Sequence, residues 1–322
     1  MAAIDIDGLT KDYLVGFWRP RPYRALDGVT LRVEANEVFG FLGPNGAGKT
    51  TTLKLLMQLV YPTAGTIRIL GKPPGDLGVR RRIGFLPEAP YFYDYLTAEE
   101  FLGYVAGLFG IREPERRTRV GSLLDRVGIG AERRLPMRRF SKGMLQRVGL
   151  AQALVNDPDV VFLDEPMSGL DPIGRRDVRA LILELRDRGC TVFFSSHILS
   201  DAEALCSRAG ILVAGRMVAS GRIADMLAFQ LAGWELVVSG VDAAALPLSD
   251  LHVRRVTPLA DGRHALDLEP DADPERVIAE CRSRGGRTVS LNPLRTTLED
   301  FFVEQVAATQ AAGQAGRFMP EG

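Results

Sequence analysis

Glu37-Val38-Phe39-Gly40-Phe41-Leu42 runs straight into Gly43-Pro44-Asn45-Gly46-Ala47-Gly48-Lys49-Thr50, and Thr51 to Val60 (TTLKLLMQLV) follow without a break. The apolar run predicts a buried strand, the glycine-rich stretch a tight turn, and the residues after it a helix. Such a turn lets successive backbone N–H groups point inward at a helix N-terminus, where the peptide dipoles already favour negative charge. The spacing G-x-x-x-x-G-K-[ST] therefore predicts a triphosphate cradle built from Gly43, Asn45, Gly46, Gly48 and Thr51. Lys49 would reach the β- and γ-phosphates, and the Thr50 hydroxyl would ligate Mg²⁺. Chance is a poor explanation: only five residues of the chain are lysine, and accidental matches are expected at roughly one in two hundred before the flanking strand and helix are required.

Working outward, strand-like and helix-like segments alternate over residues 1–228, the pattern of an α/β domain with a largely parallel sheet. Ile83 to Leu86, Val160 to Leu163 and Thr191 to Phe194 read as further buried strands, with a helix from about Gly174 to Arg188. Residues 94–155 read as a helical insertion, in which Thr97-Ala98-Glu99-Glu100 is a capping box and Pro114 and Ser141 open later helices. Beyond residue 228 the texture changes. Trp234 to Val238 reads as a strand opening a core, and Pro274 to Arg284 and Arg295 to Val306 read as helices. Residues 229–306 are thus expected to form a small α+β extension, and 307–322 a frayed tail.

Two more strand ends carry polar groups. Val160-Val161-Phe162-Leu163-Asp164-Glu165-Pro166 delivers two carboxylates: Asp164 to hold Mg²⁺ through its water shell, Glu165 to orient or deprotonate an attacking water. Phe193-Phe194-Ser195-Ser196-His197 delivers an imidazole. Parallel strands present their C-terminal ends to one crevice, so His197 would meet the same phosphates. His252 and His264 read instead as capping or core histidines.

The ordered set GPNGAGKTT, Phe140 to Arg147 (FSKGMLQR), VVFLDEP, Ser168-Gly169-Leu170-Asp171 and SSH resembles the nucleotide-binding subunit of ABC transporters over roughly residues 1–228. The resemblance implies an α/β phosphate-loop ATPase core with an antiparallel β subdomain and a helical subdomain. It implies ATP and Mg²⁺ as ligands, and hydrolysis with Lys49, Glu165 and His197 in catalytic roles. Two copies, or a paired ATPase subunit, would close head to tail, so that Ser141 and Gly143 of one touch the ATP held by the other and Asp171 couples the two sites. Tyr13 is similar to the adenine-stacking aromatic of that family, with Phe17, Trp18 and Tyr23 of the insert FWRPRPY as rivals. Glu88 stands where the family commonly has a Gln that reaches Mg²⁺. Lys142 and Met144 replace a Gly and a Gln of the usual signature; Lys142 would either add charge near the triphosphate or point to solvent. These variants, and the closing segment Thr297 to Phe302, resemble exporter-type ATPases with a C-terminal extension. An integral membrane permease is then the expected partner, with the chain peripheral on the cytoplasmic face.

Composition fits this frame. Across the 322 residues 40 basic side chains balance 40 acidic ones, which argues against a non-specific nucleic-acid binder. Residues 1–228 hold 31 basic and 26 acidic residues and the remainder 9 and 14, so neutrality is a cancellation between a mildly basic body and an acidic extension. Three dispersed cysteines form no disulfide framework or zinc pattern, and no apolar run reaches membrane-span length. The arginine clusters 80–82, 116–119 and 133–139 read as solvated faces, with a membrane subunit or anionic lipid as the alternative. Two other functions compete: a soluble ATPase of the same family on DNA or ribosomes, disfavoured by the short Lys49-to-Ser141 interval and the single motif set, and a non-hydrolysing regulator, disfavoured by intact Lys49, Asp164, Glu165 and His197.

Overall fold

The computed structural model describes residues 2–16, 18, 20–227, 231–242, 246–295, 297–303, 305 and 307. The chain divides into two compact units, the first covering Met1–Ile223 and the second Ala224–Glu304.

The first unit is organised by a six-stranded sheet. Its strands are β3 (Val38–Leu42), β5 (Ile83–Leu86), β6 (Val160–Asp164), β7 (Thr191–Ser196), β8 (Arg208–Val213) and β9 (Arg216–Arg222), in the order β5-β6-β7-β3-β8-β9. All pairs are parallel except β8 with β9. Every residue of β3, β6 and β7 is buried, as a parallel sheet covered on both faces requires. Alternation places Phe39, Phe41, Phe162 and Phe193 on one face. Phe193 packs on the other three at centroid distances of 5.8, 5.3 and 5.9 Å, and each fully buried ring contributes roughly 1.5–3 kcal/mol. The register sets Leu42 beside Ser196 and Asp164 beside Ser195, so β3, β6 and β7 end at one edge.

A second sheet, in the order β2-β1-β4, is antiparallel and comprises β1 (Ala2–Val15), β2 (Arg21–Glu34) and β4 (Ala64–Ile69). The helices in chain order are α1 (Lys49–Leu56), α2 (Leu77–Arg80), α3 (Ala98–Leu108), α4 (Glu115–Arg126), α5 (Lys142–Leu154), α6 (Pro172–Asp187) and α7 (Leu199–Leu205). The insertion expected over 94–155 holds α3 to α5. Thr97 and Glu100 make the expected capping box at α3, and Ser141 caps α5 by accepting the Met144 N–H. Gly84 on β5 is required by close approach, because a Cβ there would lie 1.8 Å from the Ala153 carbonyl oxygen at the end of α5.

The second unit carries a four-stranded antiparallel sheet in the order β11-β12-β10-β13, from β10 (Leu231–Ser239), β11 (Val253–Pro258), β12 (Arg263–Leu268) and β13 (Arg287–Arg295). The short α8 (Ile223–Met226) precedes it, and α9 (Pro274–Ser283) lies between β12 and β13. Leu236, Val238, Leu266, Leu268, Val277 and Cys281 form its core, with Trp234 half-buried against them.

Three expectations change. α1 begins at Lys49 rather than Thr51, because Gly48 at φ 109° ends the loop there, and it stops at Leu56, before Gln58 at φ 53°. Arg295 ends a strand instead of opening a helix. Thr297 and Asp300 exchange side-chain and backbone hydrogen bonds of 2.9 and 3.2 Å, which caps a helix beginning at residue 298. His252 is exposed rather than a core residue, and its Nδ1 lies 3.4 Å from Asp271. Of the closing helix and tail, residues 304, 306 and 308–322 lie outside the described residues.

Candidate functional site

The loop between β3 and α1 is glycine-rich for two separate reasons. At Gly43 a Cβ would sit 2.3 Å from the Leu212 carbonyl oxygen on β8. At Gly48 the backbone is left-handed, and a Cβ would meet the Ala25 carbonyl oxygen at 2.7 Å, so both conformation and space exclude a side chain. Lys49, the first residue of α1, is buried, and its Nζ donates to Gly43 O at 2.7 Å and Pro44 O at 3.3 Å. Asn45, Gly46, Gly48, Lys49, Thr50 and Thr51 line a cavity of about 380 Å³ together with Tyr13, Tyr23, Glu88 and Glu165. Gly43 is not among the lining residues; it serves through its carbonyl on Lys49.

The carboxylates and the imidazole arrive at the same place. Glu165 Oε1 lies 3.4 Å from Lys49 Nζ, and Oε2 lies 2.8 Å from His197 Nδ1. Glu165 has φ 49°, a left-handed conformation that strains a non-glycine residue and turns the chain sharply after β6. Burial pushes the Asp164 carboxyl above the ordinary carboxylate range. The Ser195 and Thr50 hydroxyls pull it back, while the Glu88 and Glu165 carboxylates push it further up. Thr50, Asp164 and Glu88 thus form an oxygen-only, acid-rich set, which suits a hard divalent cation.

Ser141, Gly143 and Asp171 are not brought to this cavity. They line a second one, of about 560 Å³, with Lys142, Met144, Gly169 and Leu170, and the two cavities share no lining residue. Ser141 and Asp171 cap α5 and α6 by accepting N–H groups at 3.2 and 2.8 Å. Lys142 is exposed, with its stem against Gly169, where an added Cβ would meet its Cε at 2.9 Å. A third cavity, of about 420 Å³, lies by the N-terminal ends of β6 and β7 and includes Arg119, Arg126 and Arg188 against Asp157, Asp159 and Glu184. It holds none of the expected site residues, and its charges balance.

Among the rivals for the base, Tyr23 pairs directly across β1–β2 with Tyr13, and both line the phosphate-loop cavity. Trp18 is exposed and does not line it; Phe17 lies outside the described residues. Lys11 Nζ sits 5.0 Å from the Tyr13 ring centroid, so one ring face carries a cation. Sequence reasoning gave no role to Tyr23 as a companion of Tyr13, to Ser195, or to Gln146. Gln146 is buried on α5, and its Nε2 donates to Pro166 O at 3.2 Å. Only the strand register and the buried hydrogen bonds reveal these three.

Comparison with known proteins agrees with this geometry. The ABC transporter family profile matches residues 26–168. An uncharacterized ABC transporter ATP-binding protein of Synechocystis sp. is 43% identical over 300 residues, covering 92% of this chain and 83% of that protein. The Nod factor export ATP-binding protein I of Paraburkholderia xenovorans is 36% identical, covering 76% of this chain and 79% of the relative. Among solved structures, the dimeric post-hydrolysis state of the ATP-binding cassette MJ0796 bound to ADP and Pi superposes with a TM-score of 0.63 at 26% identity, covering 68% of this chain and 98% of that one. With a phosphate loop, two carboxylates and an imidazole gathered at one sheet edge, the chain belongs to the ATP-binding subunits of ABC transporters and is an ATPase of that family.

Proposed function

We propose that two copies of this chain, or this chain and a paired ATPase subunit, close head to tail on ATP and thereby drive a separate integral membrane permease. The observation that carries the proposal is the division of the expected site into two cavities. One holds the phosphate loop, Glu88 and Glu165, the other Ser141, Gly143 and Asp171. A second copy supplies what one copy leaves apart. Ser141 and Gly143 at the N-terminus of α5 then face the γ-phosphate held by the partner, with the dipole of a 13-residue helix favouring the anion, and Asp171 links the two sites.

Within one site the chemistry is hydrolysis. The Glu165 carboxylate takes a proton from water as the water oxygen attacks the γ-phosphorus; the bond to the bridging oxygen breaks and ADP leaves. Lys49 and the first N–H groups of α1 stabilise the charge on the phosphoryl oxygens. His197, at hydrogen-bond distance from Glu165, orients that base and reaches toward the γ-phosphate. Thr50, Asp164 and Glu88 would hold Mg²⁺, which when bound neutralises charge on the β- and γ-phosphates. Tyr13, with Tyr23 across the hairpin, stacks the adenine.

Residues 1–228 would form the ATP-binding domain, with 229–306 as an appended unit. A peripheral place on the cytoplasmic face, held through the permease, belongs to the same reading; no helix among the described residues is long and apolar enough to cross a membrane. Export as the direction draws on the Nod factor export relative. Affinity purification from detergent-solubilised membranes tests the reading: a co-eluting integral membrane protein is expected. A ribosome or DNA-repair complex with no integral membrane protein would overturn it.

A further inference from the structure

One buried hydroxyl touches both carboxylate positions of the site without having been given a role. Ser195 on β7 lies directly opposite Asp164 on β6 in the parallel register and is fully buried. Its Oγ donates to Asp164 Oδ1 at 2.6 Å and accepts the Glu165 backbone N–H at 3.0 Å. A hydroxyl has one proton to give, so these bonds fix its rotor, with the proton toward Asp164 and a lone pair toward the Glu165 amide. Beside the Thr50 hydroxyl, which also acts on the Asp164 carboxyl, Ser195 holds one of its oxygens against rotation about the terminal torsion, which sets the direction of the other. The amide it holds belongs to the residue with the left-handed φ of 49°, so the strained turn after β6 is tied to the neighbouring strand. The adjacent Ser196 does something different: its Oγ accepts the Ile198 N–H at 2.9 Å and donates to Ile198 O at 3.1 Å, closing the turn that carries His197.

We propose that Ser195 is a positioning residue for the metal nucleotide, orienting Asp164 toward the cation and locking the backbone turn that presents Glu165, while touching neither nucleotide nor metal itself. The inference rests on the reading of Thr50, Asp164 and Glu88 as the cation's ligands. Its reach is specific: Ser195 affects what the cation adds to nucleotide binding, and leaves the phosphate loop's own grip unchanged.

The test uses the full chain and a fluorescent ADP analogue, titrated with Mg²⁺ and again with EDTA. In the parent protein Mg²⁺ is expected to tighten binding. Ser195→Ala is expected to bind within about twofold of the parent in EDTA and to lose about tenfold of the gain from Mg²⁺, since a charge-assisted bond to Asp164 is gone. Thr191→Val is the control. Thr191 is buried at the other end of β7, and its Oγ1 accepts the Asn36 N–H at 2.9 Å. Its loss should lower the melting temperature and leave the Mg²⁺ gain intact. Should Ser195→Ala not fold, Ser195→Cys, near in size but a weak donor, is measured in the same way with the same expectation. A full Mg²⁺ gain in the Ser195 variant, or an equal loss in Thr191→Val, overturns the proposal. No Mg²⁺ gain in the parent protein overturns the ligand reading beneath it instead, so the two failures are distinguishable.

Discussion

Replacing Glu165 by Gln keeps the side chain's volume and changes two things at once. It removes the carboxylate that can accept a proton from water, and it removes the negative partner of Lys49. The first loss falls on the chemical step. A positioned general base is worth roughly 10²- to 10⁴-fold, or about 2.7–5.4 kcal/mol of activation free energy. The second falls on binding. Lys49 Nζ and Glu165 Oε1 are 3.4 Å apart and both buried, so at an effective dielectric of about 20 their gross attraction is roughly 5 kcal/mol. Desolvation of the two ions offsets most of that, and Lys49 retains the Gly43 and Pro44 carbonyls. The ammonium is therefore released toward phosphate at little cost to the fold, and one negative charge is removed from a site that must take a polyanion. The variant should bind ATP as tightly as the parent or up to about tenfold more tightly, while hydrolysing it at least about 10²-fold more slowly. Single-turnover phosphate release with enzyme in excess isolates the chemical step, and equilibrium titration isolates binding. Turnover within about tenfold of the parent would refute the base assignment. Equal losses in binding and turnover would make Glu165 a ligand for nucleotide rather than a base.

Gly43→Ala places a methyl against the backbone of β8, which cannot rotate away, so urea denaturation should show a loss of about 1–3 kcal/mol with weakened nucleotide binding; an unchanged midpoint contradicts the close-approach argument. Tyr23→Ala should weaken ATP binding by about 0.5–1.5 kcal/mol while Tyr23→Phe leaves it unchanged, and an unaltered affinity in the alanine variant returns the base to Tyr13 alone. Burial pushes the Cys190 thiol up to about 12 and raises those of Cys206 and Cys281, so an alkylating reagent at about pH 8 should label the native chain slowly and the urea-unfolded chain at all three positions. The same shift sets a stability slope with a definite sign. The unfolded thiols ionise near pH 8.5 while the folded ones stay protonated, so stability is full below that pH and falls as pH rises toward about 12; a thermal midpoint that rises over this window contradicts the burial argument.

The parts of the molecule legible in sequence were those with a local chemical grammar. β3, the glycine turn and α1 follow from apolar run, glycine spacing and lysine, and the Thr97 capping box from four residues. Asp164 could be placed at a strand end because the four β6 residues before it, Val160 to Leu163, are all apolar. The boundaries that moved were set by single local features: Gly48 in the left-handed region starts α1 two residues early, and the Thr297–Asp300 side-chain cap starts the last helix late. β13 was hidden for another reason. It is an edge strand that tolerates Pro293, and its strand character comes from pairing with β10, which no local pattern records. Tyr23, Ser195 and Gln146 share that obscurity, because each acts through register or a buried bond to a residue distant in sequence.

The central claim is that one working site needs two copies, the phosphate loop of one and the signature segment of the other. Lys49→Ala disables the first half-site and Ser141→Arg the second, and each variant alone should be inactive. Mixed in equal amounts, half of the dimers contain one of each, and each such dimer keeps one intact composite site, so about a quarter of parental ATP turnover should return. A mixture no more active than its components would contradict the head-to-tail arrangement.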